Sequence, residues 1–180
     1  MKIVAVDMLQ EFLNKLKEKL DRDNSNNRII AIQSSMDNLH FEEKLFNVIW
    51  SEGAIYNIGF EKGLSEWRRF LKDEGYIAVS EISWLTDNRP EEIEQYWTYA
   101  YSEIDTIDAK LSLIEKCGYD PIAHFVLPEN CWMEHYYLPI LSRSDAFLER
   151  YNYGEDVQEF IKIINRVTLS HDNNTYISRY

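Results

Sequence analysis

Four short runs hold the residues whose types and spacing could do chemistry: Asp7 closing the apolar run KIVAV, Asp37 inside SSMDNLHF, Ser51 and Glu52 after FNVIW, and Glu81 and Ser83 within GYIAVSEIS. An acid at the end of a first strand can accept hydrogen bonds from both hydroxyls of a ribose, or it can cap a helix that begins at Met8. Asp37 can accept from an exocyclic amine with Met36 as an apolar lid, or it can serve with Ser34 and Asn38 as an ordinary turn former. Glu52, a carboxylate beside Gly53 with little reason to be buried, is the first choice for a general base, ahead of Glu81, His124 and His135. His124, between Ala123 and Phe125, reads more simply as a core or edge histidine. His135, in the aromatic stretch CWMEHYY, reads more simply as part of a helix core.

Strand and helix patterns alternate around these residues. KIVAV (2–6), RIIAIQ (28–33), FNVIW (46–50), DEGYIAVSEI (73–82) and YDPIAHFVLP (119–128) read as strands, the last lying toward an edge because it carries Pro121. FNVIW and GYIAVSEI look like buried strands joined by one amphipathic helix. Helical spacing covers Met8 to about Asp21, Glu61 to Leu71, a helix opened by Pro90 with Glu91 and Glu92, and about Thr106 to Lys116, closed by Gly118. From Pro128 onward the pattern is helical. Such alternation predicts an α/β fold with a mostly parallel sheet covered by helices. Open sheets of this kind bind ligands outside the carboxyl ends of their strands, which is where Ser51, Glu52, Glu81 and Ser83 fall.

With 180 residues and 45% hydrophobic content, the chain predicts one domain with a real core. Thirty-one acidic against nineteen basic residues leave a net charge of -12, which repels phosphate backbones and anionic lipid surfaces and argues against nucleic-acid and membrane partners. No apolar run approaches the roughly 20 residues that span a bilayer, and MKIVAVDM has a strand pattern rather than that of a signal peptide. Cys117 and Cys131 lie in unlike contexts with no second pair, which predicts two reduced thiols in a cytoplasmic protein. No metal is expected: Glu129, Glu134 and His135 lack a third ligand, and Glu103, Asp105 and Asp108 read as solvated acids.

Taken in order, VAVDM (4–8), SMDNLHF (35–41), FNVIWSEGAIYNI (46–58) and LKDEGYIAVSE (71–81) resemble the class I S-adenosylmethionine-dependent methyltransferases of the small-molecule, type 11-like kind. The resemblance covers about the first half of the chain. It implies a Rossmann-like sheet with helices on both faces, incomplete relative to the seven-stranded family fold. Residues 1–180 then form a single domain, with a cofactor-side half (1–85) and a substrate-side, C-terminal helical half (86–180). It further implies that Asp7 holds the ribose of S-adenosylmethionine, Met8 packs by the adenine, and Asp37 bonds the adenine amine with the Met36 backbone beside it. Ser51, Glu52 and Gly53 would line the methionine moiety. Tyr56, Trp84, Trp132 and His135 are the residues expected to face a small-molecule acceptor, because aromatic faces attract a sulfonium as they do an ammonium, although packing accounts for most aromatics equally well.

Two parts of the family pattern are missing. Asp7 leaves no room for the glycine-rich loop that precedes a ribose acid by about 20 residues in dinucleotide-binding sheets, so the chain is expected to be a piece that starts after that loop. The strand that would pair with 119–128 in a final hairpin is expected to be absent, since Tyr180 ends the chain where it should start. The resulting open edges would invite a homodimer. Two other functions fit part of the pattern: a non-catalytic Rossmann-like binding module that lost its cofactor loop, and a nicotinamide-dependent oxidoreductase, for which no catalytic Tyr-x-x-x-Lys is present.

Overall fold

The computed structural model describes residues 2–23, 28–128, 130–171 and 177–179, with the side chains of 132 and 166–179 outside that description. In chain order the elements are β1 (Ile3–Asp7), α1 (Gln10–Arg22), β2 (Ile29–Gln33), β3 (Phe46–Ser51), α2 (Phe60–Trp67), β4 (Leu71–Val79), β5 (Ile82–Trp84), α3 (Glu91–Ala100), β6 (Asp105–Thr106) and α4 (Ile107–Lys116). The remainder is α5 (Asn130–Trp132), a π-helical turn (Met133–Tyr137), α6 (Leu138–Leu141), α7 (Ser144–Arg150), α8 (Glu155–His171) and β7 (Ile177–Arg179). This is the α/β class that the alternating patterns predict. The strands pair as β1 with β2, β3 with β4, and β6 with β5 with β7.

The chain divides into two compact units, one of Met1–Trp50 with Asn57–Ile77 and one of Ser51–Tyr56 with Ala78–Tyr180. The division runs through the end of β3 and the end of β4. In the first unit β1 and β2 are parallel, in register from Ile3 with Ile29 to Asp7 with Gln33. Helix α1 buries Leu13 and Leu20 on one stripe, and its charges follow the helix dipole, Glu11 in the first turn and Lys19 and Arg22 in the last. Helix α2 and the turn after it bury Phe60, Leu64, Trp67 and Phe70, with Phe41 edge-on to both Phe46 and Phe70. Strand β3 is not the buried strand that FNVIW suggests: Val48 is exposed and Trp50 is 73% exposed.

In the second unit the core is Ile82, Trp84, Tyr101 and Ile104, with Tyr56, Ile93 and Trp97 packed on it. Strand β5 is parallel to β6 and antiparallel to β7. The expected strand at 119–128 does not form, since residues 119–128 are irregular. Pro121 lacks the N–H a ladder needs, and Ile122, Phe125 and Val126 are exposed. The antiparallel partner expected to be absent is instead β7, pairing Ile82 with Arg179 and Trp84 with Ile177.

Helix α4 starts on Thr106, whose Oγ1 accepts from Ala109 N–H at 3.3 Å. It ends as the sequence predicts. Gly118 N–H donates to Glu115 O and Tyr119 N–H to Ile114 O, with Gly118 at φ 83°, the paired bonds of a left-handed helix stop. No atom within 4 Å obstructs a Cβ at Gly118, so the cost of Gly118→Ala is backbone strain alone. The variant should lose about 1–2 kcal/mol in urea denaturation, and a loss below the error of the measurement would show that the left-handed geometry is not held in solution.

Candidate active site

In the first unit, parallel register brings the end of β1 beside the turn that follows β2. Ser34 N–H donates to the Asp7 carbonyl at 3.1 Å, and Gln33 Nε2 donates to the Met8 carbonyl at 3.2 Å. Asp7 and the 34–37 turn therefore share one carboxyl end of a parallel pair. Asp7 Oδ1 accepts from Leu9 N–H at 2.7 Å, so the acid does tie down the entry to α1, through the residue before the helix rather than from a cap position. A carboxylate offers more acceptor sites than this one bond uses. Met8 is exposed.

Asp37 Oδ1 accepts from Ser35 Oγ at 2.5 Å, and its Oδ2 lies 3.6 Å from Lys62 Nζ. The Ser35 hydrogen bond, aided by the Lys62 charge, holds this carboxyl below the usual aspartate range, so it is an anionic acceptor at neutral pH. The Met36 carbonyl accepts from the Trp67 indole N–H at 2.9 Å, which fixes the turn to α2.

In the second unit the chain after β3 is tied to the chain after β4. Ser80 N–H donates to the Ser51 carbonyl at 3.0 Å, and Gly53 N–H, at a residue with φ 62°, donates to Ser80 Oγ at 2.6 Å. This clasp interrupts the strand that DEGYIAVSEI was expected to form: β4 ends at Val79, and β5 begins only at Ile82 with different partners. Ser51 is buried and its Oγ has no hydrogen-bond partner among the described residues. Glu52, the first choice for a base, is exposed.

The buried acid is Glu81, which has no exposed surface. Its Oε1 accepts from Tyr101 Oη at 2.5 Å and from Lys110 Nζ at 2.7 Å, and Lys110 Nζ lies 3.4 Å from Tyr101 Oη. Burial pushes the Glu81 carboxyl above the ordinary glutamate range, and the Lys110 charge and hydrogen bonds oppose that rise in part. Lys110 is only 2% exposed and was not singled out from the sequence. It lies three residues after Ile107 and four before Ile114, on the same stripe of α4, which is the one sequence signal that could have found it.

Of the residues expected to face an acceptor, Tyr56 is half-buried and edge-on to Tyr101, with ring centroids 6.0 Å apart. Trp84 is buried in the core, with the Arg89 guanidinium 4.4 Å from its ring centre. Arg89 also donates to the Thr86 carbonyl and to Glu94, yet its Nε has no partner among the described residues. His135 sits on the π-helical turn and is exposed, as is His124 in the irregular segment, so neither is the core histidine its sequence context suggests. Trp132 lies on α5, and its side chain falls outside the described residues. Glu129, weighed as a metal ligand, also lies outside them. Among the described residues no group of three His, Cys, Asp or Glu could hold a metal ion, and no helix is long and apolar enough to cross a membrane.

The first unit thus offers two acids at one sheet end. The second offers an enclosed, hydrogen-bonded carboxylate and two buried oxygens without partners among the described residues. That inventory suits binding and orienting a polar molecule, and it contains no activated nucleophile.

Residues 1–79 match a family model described as a methyltransferase domain. No curated protein matches the chain in sequence. Among solved structures, the E. coli protein YjhP aligns with a TM-score of 0.81 and 19% identity over 98% of this chain and 73% of its own. An S-adenosylmethionine-dependent methyltransferase from Geobacter sulfurreducens, solved with S-adenosyl-L-homocysteine, aligns at 0.78 with 17% identity over 98% and 72%. The [4+2]-cyclase SpnF aligns at 0.77 with 12% identity, and the chain spans 63% of that structure's length.

Proposed function

We propose that this chain, whose residues 1–79 match a methyltransferase-domain model and whose fold is shared with an S-adenosylmethionine-dependent methyltransferase, takes part in S-adenosylmethionine-dependent methyl transfer to a small organic acceptor. The observation that carries this reading is the family match over 1–79, which includes Asp7 and Asp37 at one carboxyl end of the β1–β2 pair. Fold likeness alone would not suffice, because a [4+2]-cyclase has the same fold.

The residues fit the cofactor in chemistry. Asp7 retains acceptor capacity for ribose hydroxyls, Asp37 is an anionic acceptor for the adenine amine, and the Ser51 hydroxyl is buried and unmatched among the described residues. In this reading Met8 and the Met36 backbone flank the adenine, while the assignment of Ser51, Glu52 and Gly53 to the methionine end rests on the sequence resemblance alone. When bound, S-adenosylmethionine supplies a methyl that is already activated. What remains for the protein is to hold an acceptor in line with it and keep water away. Glu52 would serve as a base only for an acceptor that must lose a proton first. Two thiols, Cys117 and Cys131, suit a reducing, cytoplasmic setting.

Titration calorimetry with S-adenosylhomocysteine and with NAD tests the reading. S-adenosylhomocysteine should bind and NAD should not; binding of neither ligand, or of NAD alone, would sink it. Asp7→Ala should weaken S-adenosylhomocysteine by about 5- to 150-fold, the effect of about 1–3 kcal/mol for stranding a buried hydrogen-bonding partner. An unchanged affinity would reduce Asp7 to its bond with Leu9.

A further inference from the structure

The second unit encloses a carboxylate that is satisfied on one side only. Glu81 Oε1 receives two donors, Tyr101 Oη and Lys110 Nζ, whereas Oε2 is fully buried and has no partner among the described residues. A buried charged oxygen without a donor is expensive, and such atoms in folded proteins are the ones that call for an explanation. The position adds to this. Glu81 follows the carboxyl end of β4, where open sheets place ligands, and the Ser80 clasp ties it to Ser51, whose Oγ is also buried and unmatched among the described residues. Three buried side-chain atoms lack partners among the described residues, on Ser51, Glu81 and Arg89, and all belong to this unit between residues 51 and 89.

We propose that Glu81 Oε2 is a binding position for the hydroxyl or uncharged amine hydrogen of the acceptor molecule, with Tyr101 and Lys110 as the positioning residues that aim the carboxylate. The proposal rests on the methyl-transfer reading only for calling that ligand the acceptor. Charge sets its class. Lys110 Nζ lies 2.7 Å from Glu81, so a second cation would meet an ammonium beside the carboxylate, whereas a neutral O–H or N–H meets an acceptor that the neighbouring Glu103 charge makes no less able to accept. An ether, a tertiary amine or a thioether has no hydrogen to give Oε2 and would leave it stranded, as it is in this structure. Entry requires a covering side chain to turn aside. Tyr56, Ile93 and Trp97, themselves only partly buried, pack against the Ile82, Trp84, Tyr101 and Ile104 cluster, which shares Tyr101 with this network.

Matched probes test this on the full chain saturated with S-adenosylhomocysteine: p-cresol against 4-methylanisole, and aniline against N,N-dimethylaniline, with affinities from ligand-observed NMR. The hydrogen-bearing member of each pair should bind about tenfold or more tighter, the effect of one hydrogen bond to a charged group. Glu81→Gln sharpens the test. Tyr101 and Lys110 both donate to the Oε1 position and so hold the amide oxygen there, which puts the amide nitrogen, a donor, where Oε2 was. The preference within each pair should then vanish or invert toward the capped member, while S-adenosylhomocysteine affinity stays within about twofold.

Equal binding within both wild-type pairs, no binding of any of the four probes, or a wild-type preference that survives Glu81→Gln would each overturn the proposal. If the variant does not fold, the wild-type pairs decide alone. A wild-type chain that discriminates the pairs yet fails to bind S-adenosylhomocysteine would sink the methyl-transfer reading and leave the Glu81 position standing.

Discussion

Lys110→Met is expected to lower the unfolding free energy at neutral pH by about 3–5 kcal/mol, the usual cost of removing one partner from a buried ion pair. The reason lies in Glu81, which keeps no exposed surface and would lose a 2.7 Å donor and its only close countercharge among the described residues. Tyr101 Oη–H would remain, and one neutral hydrogen bond does not offset a buried anion. The loss should depend on pH. Because burial raises the folded-state pKa of Glu81, proton uptake favours the folded chain. This contribution is fully present below the ordinary glutamate value and disappears as pH climbs through the folded value. Removing Lys110 takes away the main influences that hold that pKa down, so the variant's window moves to higher pH. Urea denaturation between pH 4 and pH 8 should therefore show the deficit growing toward neutrality. The double variant Glu81→Leu with Lys110→Met should recover most of it, since no charge is then left buried. A deficit that is flat with pH, or not relieved in the double variant, would mean that the pair is open to water in solution.

Trp84→Ala should cost about 3–5 kcal/mol and leave cofactor affinity nearly unchanged. Trp84 is 5% exposed and packs with Ile82, Tyr101 and Ile104, so its removal leaves a cavity that short strand β5 cannot close. Arg89 adds to the loss, because its guanidinium sits 4.4 Å from the ring centre and would face an empty volume. Trp84→Phe should retain much of the stability. Calorimetric melting of the two variants, set beside their S-adenosylhomocysteine affinities, separates a core tryptophan from a ligand-facing one. If Trp84→Ala melts like the parent and loses ligand binding instead, the residue belongs to the site, as its place near a strand end suggested.

Strand positions β1 to β3, the α1 and α4 stripes and the Gly118 stop were legible because each rests on local physics: apolar runs, 3.6-residue spacing and a backbone that only glycine adopts easily. The methyltransferase-like motifs of residues 1–79 were legible for the same reason, being short and contiguous. Residues 119–128 were misjudged because a strand needs a partner, and no local pattern reveals that β5 would pair with Ile177–Arg179 instead. The Glu81 network was half legible. Its acid stood at a strand end, but Tyr101 and Lys110 come from 20 and 29 residues away, and a lysine on a helix reads as solvated until a buried acid is set against it. Glu52 was preferred over Glu81 on the ground that it need not be buried, and the structure gives the buried environment to Glu81.

The Ser80 clasp has a consequence for how this unit opens. Ser80 gives its amide to Ser51 and takes the Gly53 amide on its hydroxyl, so the chain after β3 cannot fray without releasing the chain after β4. The Gly53 and Ser80 amides should therefore exchange with solvent at one common rate, as members of a single cooperative opening unit, although 27 residues separate them.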